Sequence, residues 1–281
     1  SWNIAWRNRP VASLLEDRGT PFIILKNSFR YWAADPFIFN YNGELYIFAE
    51  LYDYIKRKGV IGYCKWNGVR FGRWKKVIEE DYHLSYPYIF EHDGDVYVMP
   101  ESGAKGDLHL YRAVAFPDKW ETSTILRENV IFGDTTPFIW KQHTYALTYD
   151  VSDSEEYKLM LLNFQNSEND CAVQVGDPEL RRPAGKHFLY SGMHIRPAQN
   201  CKGDYGKGLL FYQYSVGRGL FSEKCIDMIS PQDLHYSRRI VLDGLHTYNA
   251  TDSFEVIDIK TRRLNLLNLA SRIVGKLRRS L

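Results

Sequence analysis

The chain has 281 residues, with 36 Lys and Arg against 34 Asp and Glu, a net charge near +2. That balance argues neither for nor against nucleic acid, which only a local basic patch could favour and which is not expected as a partner. No apolar run reaches the length of a membrane-spanning helix, and no secretory leader is expected. The four cysteines (Cys64, Cys171, Cys201, Cys225) are too sparse for a disulfide scaffold and lack zinc-knuckle spacing; they read as reduced thiols of a cytoplasmic protein.

Taken in chain order, Trp2–Arg7 (WNIAWR) and Pro21–Asn27 (PFIILKN) read as strands without a local hairpin partner. Then comes ADPFIFNYNGELYIFAE, residues 34–50, two alternating aromatic-rich strands around Asn42-Gly43, a strong type I′ turn signal. GVIGYCKW (59–66) and RWKKVIEE (73–80) supply a third and fourth strand. The unit recurs as SYPYIFEHDGDVYVMPE (85–101), with LHLYRAV and WETSTIL behind it, and as TTPFIWKQHTYALTYD (135–150), followed by YKLMLLNF. HIRPAQ (194–199) with GLLFYQY (208–214) is taken as a fourth copy, and LHTYNATDSFEVID (245–258) as a shortened fifth. Aligned on proline, the copies start at Asp35, Tyr86, Thr136, Arg196 and His246, roughly 50 residues apart. Such a period built from strands predicts an all-β fold, a five-bladed β-propeller over residues 1–260, with the two N-terminal strands completing the last blade and closing the ring. Residues 261–281 break the pattern. Leu266, Leu269, Ile273 and Leu277 fall on one helical face beside six Arg and Lys and no acid. This predicts a basic amphipathic helix, packed on the propeller or lying peripherally on an anionic membrane.

Register converts the repeat into a site. Counting outward from Asn42-Gly43 sets Asp35 opposite Glu50, and counting from Asp93-Gly94 sets Tyr86 opposite Glu101. In a propeller the innermost strands all start at one rim. That rim is therefore expected to gather Asp35, Glu50, Tyr86, Glu101, Thr136, Tyr149, Arg196 and His246. Asp134 and His194 lie two residues before two of the starts. Opposed carboxylates repel unless one is protonated or a cation intervenes, and such coupled acids suit acid/base chemistry. Trp and Tyr faces, Trp32 among them, suit stacking on sugar rings.

The ADPFIF run opening a first blade resembles the glycoside hydrolase clan of families 43, 32 and 62. The longer set WAADPFIF, LYIFAE, KGVIGYCKW, PYIFEHDGDVYVMPES and HIRPA resembles, up to about Lys260, the N-terminal domain of plant glucosamine inositolphosphorylceramide transferases and bacterial relatives in surface-glycan assembly. The clan resemblance implies that Asp35, in its Asp-Pro dipeptide, is a catalytic aspartate. It also implies a second aspartate from the third blade, which Asp134 approaches two positions early, and a histidine near a divalent ion in the fifth blade, where His246 falls. The fourth blade has no glutamate for the clan's general acid, so Glu101 takes that role. The closer resemblance implies a sugar or sugar-lipid substrate and a transferase domain outside this sequence.

Two functions are thus expected. One is glycosyl hydrolysis or transfer without a required cofactor, with Asp35 as base or nucleophile, Glu101 as proton donor and Asp134 assisting. Glu50, Trp32, Tyr86, Tyr149, His194, Arg196 and His246 would then line the sugar site, Glu50 also tuning the acids. The other is a non-catalytic glycan- or glycolipid-binding module serving a glycosyltransferase.

Overall fold

The computed structural model describes residues 1–152, 157–217, 220–239 and 241–262. Among these, the strands form five four-stranded antiparallel sheets. Blade 1 comprises Tyr31–Tyr41, Glu44–Asp53, Lys58–Lys65 and Lys75–Ile78. Blade 2 comprises Ser85–His92, Asp95–Glu101, Asp107–Ala115 and Lys119–Glu128, and blade 3 Phe132–Trp140, His143–Asp150, Lys158–Asn163 and Cys171–Ala172. Blade 4 comprises Phe188–Tyr190, Met193–Asn200, Gly208–Gly217 and Leu220–Ile229. Blade 5 is composite. Leu242–Ala250 and Glu255–Thr261 pair with the N-terminal Trp2–Arg7, which pairs with Ile23–Ile24.

Closure is anchored by a buried ion pair. Arg7 meets Glu255 at 2.7 Å, and Glu255 also accepts from Tyr248 Oη (2.6 Å) and the Leu14 amide (2.8 Å). The strands are two-sided, so an apolar cluster fills each junction between neighbouring blades. Phe37, Phe48, Tyr86 and Val98 pack between blades 1 and 2; Met99, Phe132 and Leu162 between 2 and 3; Phe138, Leu161 and Tyr214 between 3 and 4. Phe211, Tyr248 and Ile257 fill the 4–5 junction, and Trp6, Ile47 and Val256 the 5–1 junction.

Three sequence expectations are corrected. First, the count from Asn42-Gly43 holds as far as Phe37–Phe48 and then slips, so that Ala34, not Asp35, pairs with Glu50. Asp35 and Pro36 form a β-bulge, with Asp35 in the left-handed region at φ 51°. Blade 2 repeats this. Ser85, not Tyr86, pairs with Glu101, and Tyr86 has φ 46°. Second, the blade 3 bulge holds Asp134 (φ 52°) and Thr135, between the pairs Gly133–Tyr149 and Thr136–Leu147. Asp134, not Thr136, is therefore the counterpart of Asp35. Proline alignment failed because Pro137 stands three residues after the bulge aspartate where Pro36 stands one.

Third, HIRPAQ is the second strand of blade 4, not the innermost. The innermost run is Arg182–Tyr190, led by an earlier Arg-Pro, Arg182-Pro183; Pro183 bridges Ala198. Gly185 is required here, because a Cβ would sit 1.9 Å from the Tyr248 carbonyl oxygen. Lys186 then reaches across the axis to the Ile89 carbonyl of blade 2 at 2.6 Å. The last strand runs through Thr261, and the expected helix over 261–281 lies, past Arg262, outside the described residues. No helix among the described residues is long and apolar enough to cross a membrane.

Candidate active site

The bulges make the site. Each frees backbone N–H groups and turns one side chain toward the axis at one rim. A left-handed non-glycine residue costs roughly 1–3 kcal/mol, and for a residue as bulky as Tyr86 it is a true outlier. Hydrogen bonds between blades hold it. The Asp35 amide donates to Asp258 of blade 5 (3.0 Å), the Tyr86 amide to Asp35 of blade 1 (3.2 Å), and the Asp134 amide to Glu101 of blade 2 (3.1 Å). Each bulge is thus tied to a carboxylate of the preceding blade.

These groups surround a cavity of about 240 Å³, lined by Trp2, Trp32, Asp35, Glu50, Tyr52, His83, Ser85, Glu101, Asp134, Arg182, Tyr205 and His246. Arg182 is its central cation, with Nε 2.5 Å from Asp134 Oδ2 and Nη2 3.2 Å from Glu101 Oε2. Gln199 Nε2 also donates to Asp134 Oδ2 at 2.7 Å. On the other side, Asp35 accepts from Thr247 Oγ1 (3.2 Å), and its Oδ1 lies 3.4 Å from His246 Nε2. His246 Nδ1 lies 2.6 Å from Asp258 Oδ2, and Trp2 stacks on the imidazole at 4.0 Å. Closure of the ring by the N-terminal strand is what brings Trp2 there.

Burial pushes the Asp35 carboxyl up to about 6, a rise that the His246 charge opposes. Burial, then the Asp134 charge, pushes Glu101 up to about 8 against the opposing pull of Arg182. Glu50 is driven well above the ordinary glutamate value by burial and then by Asp35 and Glu101. Burial works against charge on His246, but Asp258 and Asp35 outweigh it and leave its pKa raised. The site therefore holds acids separated in proton affinity, the pattern that lets one carboxyl accept a proton while another donates.

Asp35, His246 and Asp258 offer three potential ligand atoms within 4.8 Å of one another. They do not fit a chelate for a divalent ion. The two imidazole nitrogens diverge, one toward each carboxylate, and Asp258 is engaged by the amides of Asp35, His246 and Thr247. The set fits an imidazolium bridging two carboxylates, and no chemical step here is routed through a metal.

Of the residues expected at the rim, Asp35, Glu50, Glu101, Asp134, His246 and Trp32 line the cavity. Tyr86 is fully buried beneath it, its hydroxyl 2.7 Å from Thr136 Oγ1. Tyr149 backs Arg182, whose guanidinium lies 5.7 Å from the ring centroid. Arg196 and His194 are not brought in. Arg196 is fully buried against Glu223 (2.6 Å), and His194 lines a separate, largely apolar cavity of about 960 Å³ with Phe138 and Tyr214. Both displacements follow from their place on the second strand of blade 4. Arg182, His83 and Asp258 were missed. The Ser191-Gly192 turn, nine residues after Arg182, was the available signal for Arg182; His83 and Asp258 carry none.

The five-bladed propeller fold is one that solved glycoside hydrolases share. The chain superposes on the catalytic domain of a family 62 α-L-arabinofuranosidase from Coprinopsis cinerea (TM-score 0.61, 9% identity, 92% of this chain and 98% of that one). It also superposes on a family 32 β-fructofuranosidase from Bombyx mori (TM-score 0.57, 14% identity, 84% and 56%). In sequence, residues 25–228 match the family described as glucosamine inositolphosphorylceramide transferase 1, N-terminal, and the chain belongs to that family. Glucosamine inositolphosphorylceramide transferase 1 of Arabidopsis thaliana is 30% identical over 226 residues, which cover 73% of this chain and 28% of that protein. Its counterpart in Oryza sativa subsp. indica is 26% identical over 193 residues, 65% of this chain and 26% of that protein. The chain thus spans about a quarter of the length of these relatives.

Proposed function

We propose that this propeller acts on a glycosyl residue of a glycan or glycolipid, cleaving or transferring it in the cavity at the acid rim. The observation that carries the reading is the pair Asp35 and Glu101, from adjacent blades, lining one cavity with carboxyls pushed to about 6 and about 8. Near neutral pH Asp35 is ionised and Glu101 keeps its proton. Glu101 then protonates the glycosidic oxygen as the C–O bond breaks. Asp35 takes the proton of the attacking water or acceptor hydroxyl, or attacks the anomeric carbon itself. Arg182 and Asp134 orient Glu101, and His246 orients Asp35. The names of the relatives and the hydrolase-like fold support the substrate class.

One observation favours a second reading, a module that binds glycan for a transferase. Blade 4 brings Arg182 and Gln199 to the rim, not a carboxyl. A panel of aryl glycosides, nucleotide sugars and glycolipids separates the two. Turnover that falls 10²–10⁴-fold in both Asp35→Asn and Glu101→Gln supports catalysis. Binding without turnover, unaffected by Asp35→Asn, overturns it.

A further inference from the structure

Most acids around the cavity are used by the fold. Asp35, Glu101 and Asp258 each accept a bulge amide of the next blade, and Asp134 accepts from Arg182 and Gln199. Glu50 differs. Its side chain is buried, 6% exposed, yet Oε1 has no hydrogen-bond partner among the described residues. An unpartnered buried carboxyl oxygen carries a desolvation cost that a bound hydroxyl would relieve. The group nearest at hand is His83 Nε2, 3.6 Å away, too far for a direct hydrogen bond.

The His83 ring is set for a specific role. Its Nδ1 accepts the Gly59 amide proton at 2.9 Å, so in the neutral ring the proton sits on Nε2, the nitrogen toward Glu50. Burial lowers the His83 pKa and favours that neutral ring. Gly59 makes room, since a Cβ there would lie 2.5 Å from Glu50 Oε1 and 2.9 Å from His83 Cε1. A donor N–H and an acceptor oxygen therefore face the same small gap. A hydroxyl complements both at once, accepting from Nε2 and donating to Oε1. Beside them stands an aromatic face, Trp32 stacked on Tyr52 at 4.8 Å and 9°, and all four residues line the same cavity.

We propose that His83 Nε2 and Glu50 Oε1 bracket one hydroxyl of an uncharged sugar ring stacked against Trp32, making this pair the specificity determinant of the cavity. The inference rests on the glycosyl-directed reading above and names the substrate feature read on the blade 1 wall. A carboxylate-bearing sugar is disfavoured there, because its charge would lie near the ionised Asp35 in the same cavity.

The test is binding of methyl glycosides, by saturation-transfer NMR and calorimetry, to the full chain. The panel comprises methyl gluco-, galacto-, manno- and xylopyranosides, methyl arabinofuranoside and methyl glucuronide. The monodeoxy analogues of the tightest binder follow. Glu50→Ala and His83→Phe should each weaken the tightest neutral ligand about tenfold or more, as loss of a buried hydrogen bond does. Glu50→Gln, which keeps an acceptor oxygen, should stay within about threefold. One deoxy analogue should bind wild type and both loss variants equally, since its missing hydroxyl is the one they read. Equal binding of all neutral ligands by wild type, Glu50→Ala and His83→Phe overturns this inference alone, as does preferred binding of the glucuronide. A wild-type protein that binds none of the panel overturns the inference and the glycosyl-directed reading together. Matching urea midpoints for Glu50→Ala, His83→Phe and wild type exclude misfolding as the cause of a loss.

Discussion

Replacing Arg182 with Met tests the electrostatics of the rim directly. The side chain is largely but not fully buried, 17% exposed, and its guanidinium is held by Asp134 at 2.5 Å and Glu101 at 3.2 Å. Met keeps much of the volume and removes the charge. Breaking a buried ion pair from one side costs about 3–5 kcal/mol, because the partners stay behind uncompensated. With a urea m-value of about 3 kcal/mol/M, the midpoint should fall by roughly 1–2 M near neutral pH. The sign of the pH dependence follows from Glu101. In the wild type it ionises through about 8, above its ordinary value, so the folded state holds a proton that the unfolded chain lacks up to that pH. Without Arg182 its pKa rises further. Above pH 8 the wild type has finished losing stability from this group, while the variant keeps losing it, by up to about 1.4 kcal/mol per pH unit. The deficit of Arg182→Met should therefore widen between pH 7 and 9.5. In a Glu101→Gln background, the further cost of Arg182→Met should not depend on pH over that range. A deficit under about 1 kcal/mol, or one equal at both pH values, would refute the assignment of Arg182 as the counter-ion of Glu101.

Three further outcomes are expected. For any glycoside that is turned over, kcat/KM should rise through about pH 6 and fall through about pH 8, with Asp35 as the ionised base and Glu101 as the protonated acid; a profile flat from 5 to 9 contradicts these roles. Gly59→Ala would set a Cβ 2.3 Å from the Leu84 carbonyl oxygen, a backbone atom that cannot rotate away. Its urea midpoint should report a loss of about 1–3 kcal/mol, and a neutral result would mean that the blade 1 wall yields freely. Asp35→Asn should unfold within about 1 kcal/mol of wild type, because its side-chain oxygen can still accept the Tyr86 amide. Asp35→Ala should cost about 1–3 kcal/mol more by leaving that buried amide unpaired; equal unfolding of the two would show that Asp35 does not support the Tyr86 bulge.

What could be read in the sequence is local. The Asn42-Gly43 and Asp93-Gly94 turns, the alternation on either side of them and the spacing of the copies define hairpins and their number. The unpaired strands Trp2–Arg7 and Pro21–Asn27 define the closure. What could not be read depends on contacts between blades. Nothing local to Tyr86 announces a left-handed backbone; it is imposed by Asp35 on its amide and Thr136 on its hydroxyl, 51 and 50 residues away. The one-residue slip in register opposite Glu50 and Glu101 follows from that imposed conformation. Arg182 was hidden for a related reason. Its strand is short and pressed against Tyr248 through Gly185, and its two alternating aromatics, Phe188 and Tyr190, come only after an Ala-Gly-Lys-His stretch with no strand pattern.

The acids of the rim have two kinds of work, and the structure separates them. Asp35, Glu101 and Asp258 stitch neighbouring blades by accepting bulge amides, so a ring of carboxyls at this mouth is partly a requirement of the architecture. Acid count alone therefore says little about chemistry. Proton affinity says more. An amide donor favours an ionised carboxylate, yet Asp35 and Glu101 are still pushed upward, because burial among other acids outweighs it. The fold thus pays in native-state stability at neutral pH for carboxyls that are ready to exchange protons. A purely structural stitch would do better with an Asn or Gln, which accepts the same amide without carrying charge. Under the proposed glycosyl-directed reading, acids at these positions are what a proton-transferring or hydroxyl-binding cavity needs, and Glu50, which accepts no bulge amide, is the side chain that the stitching of the propeller leaves unexplained.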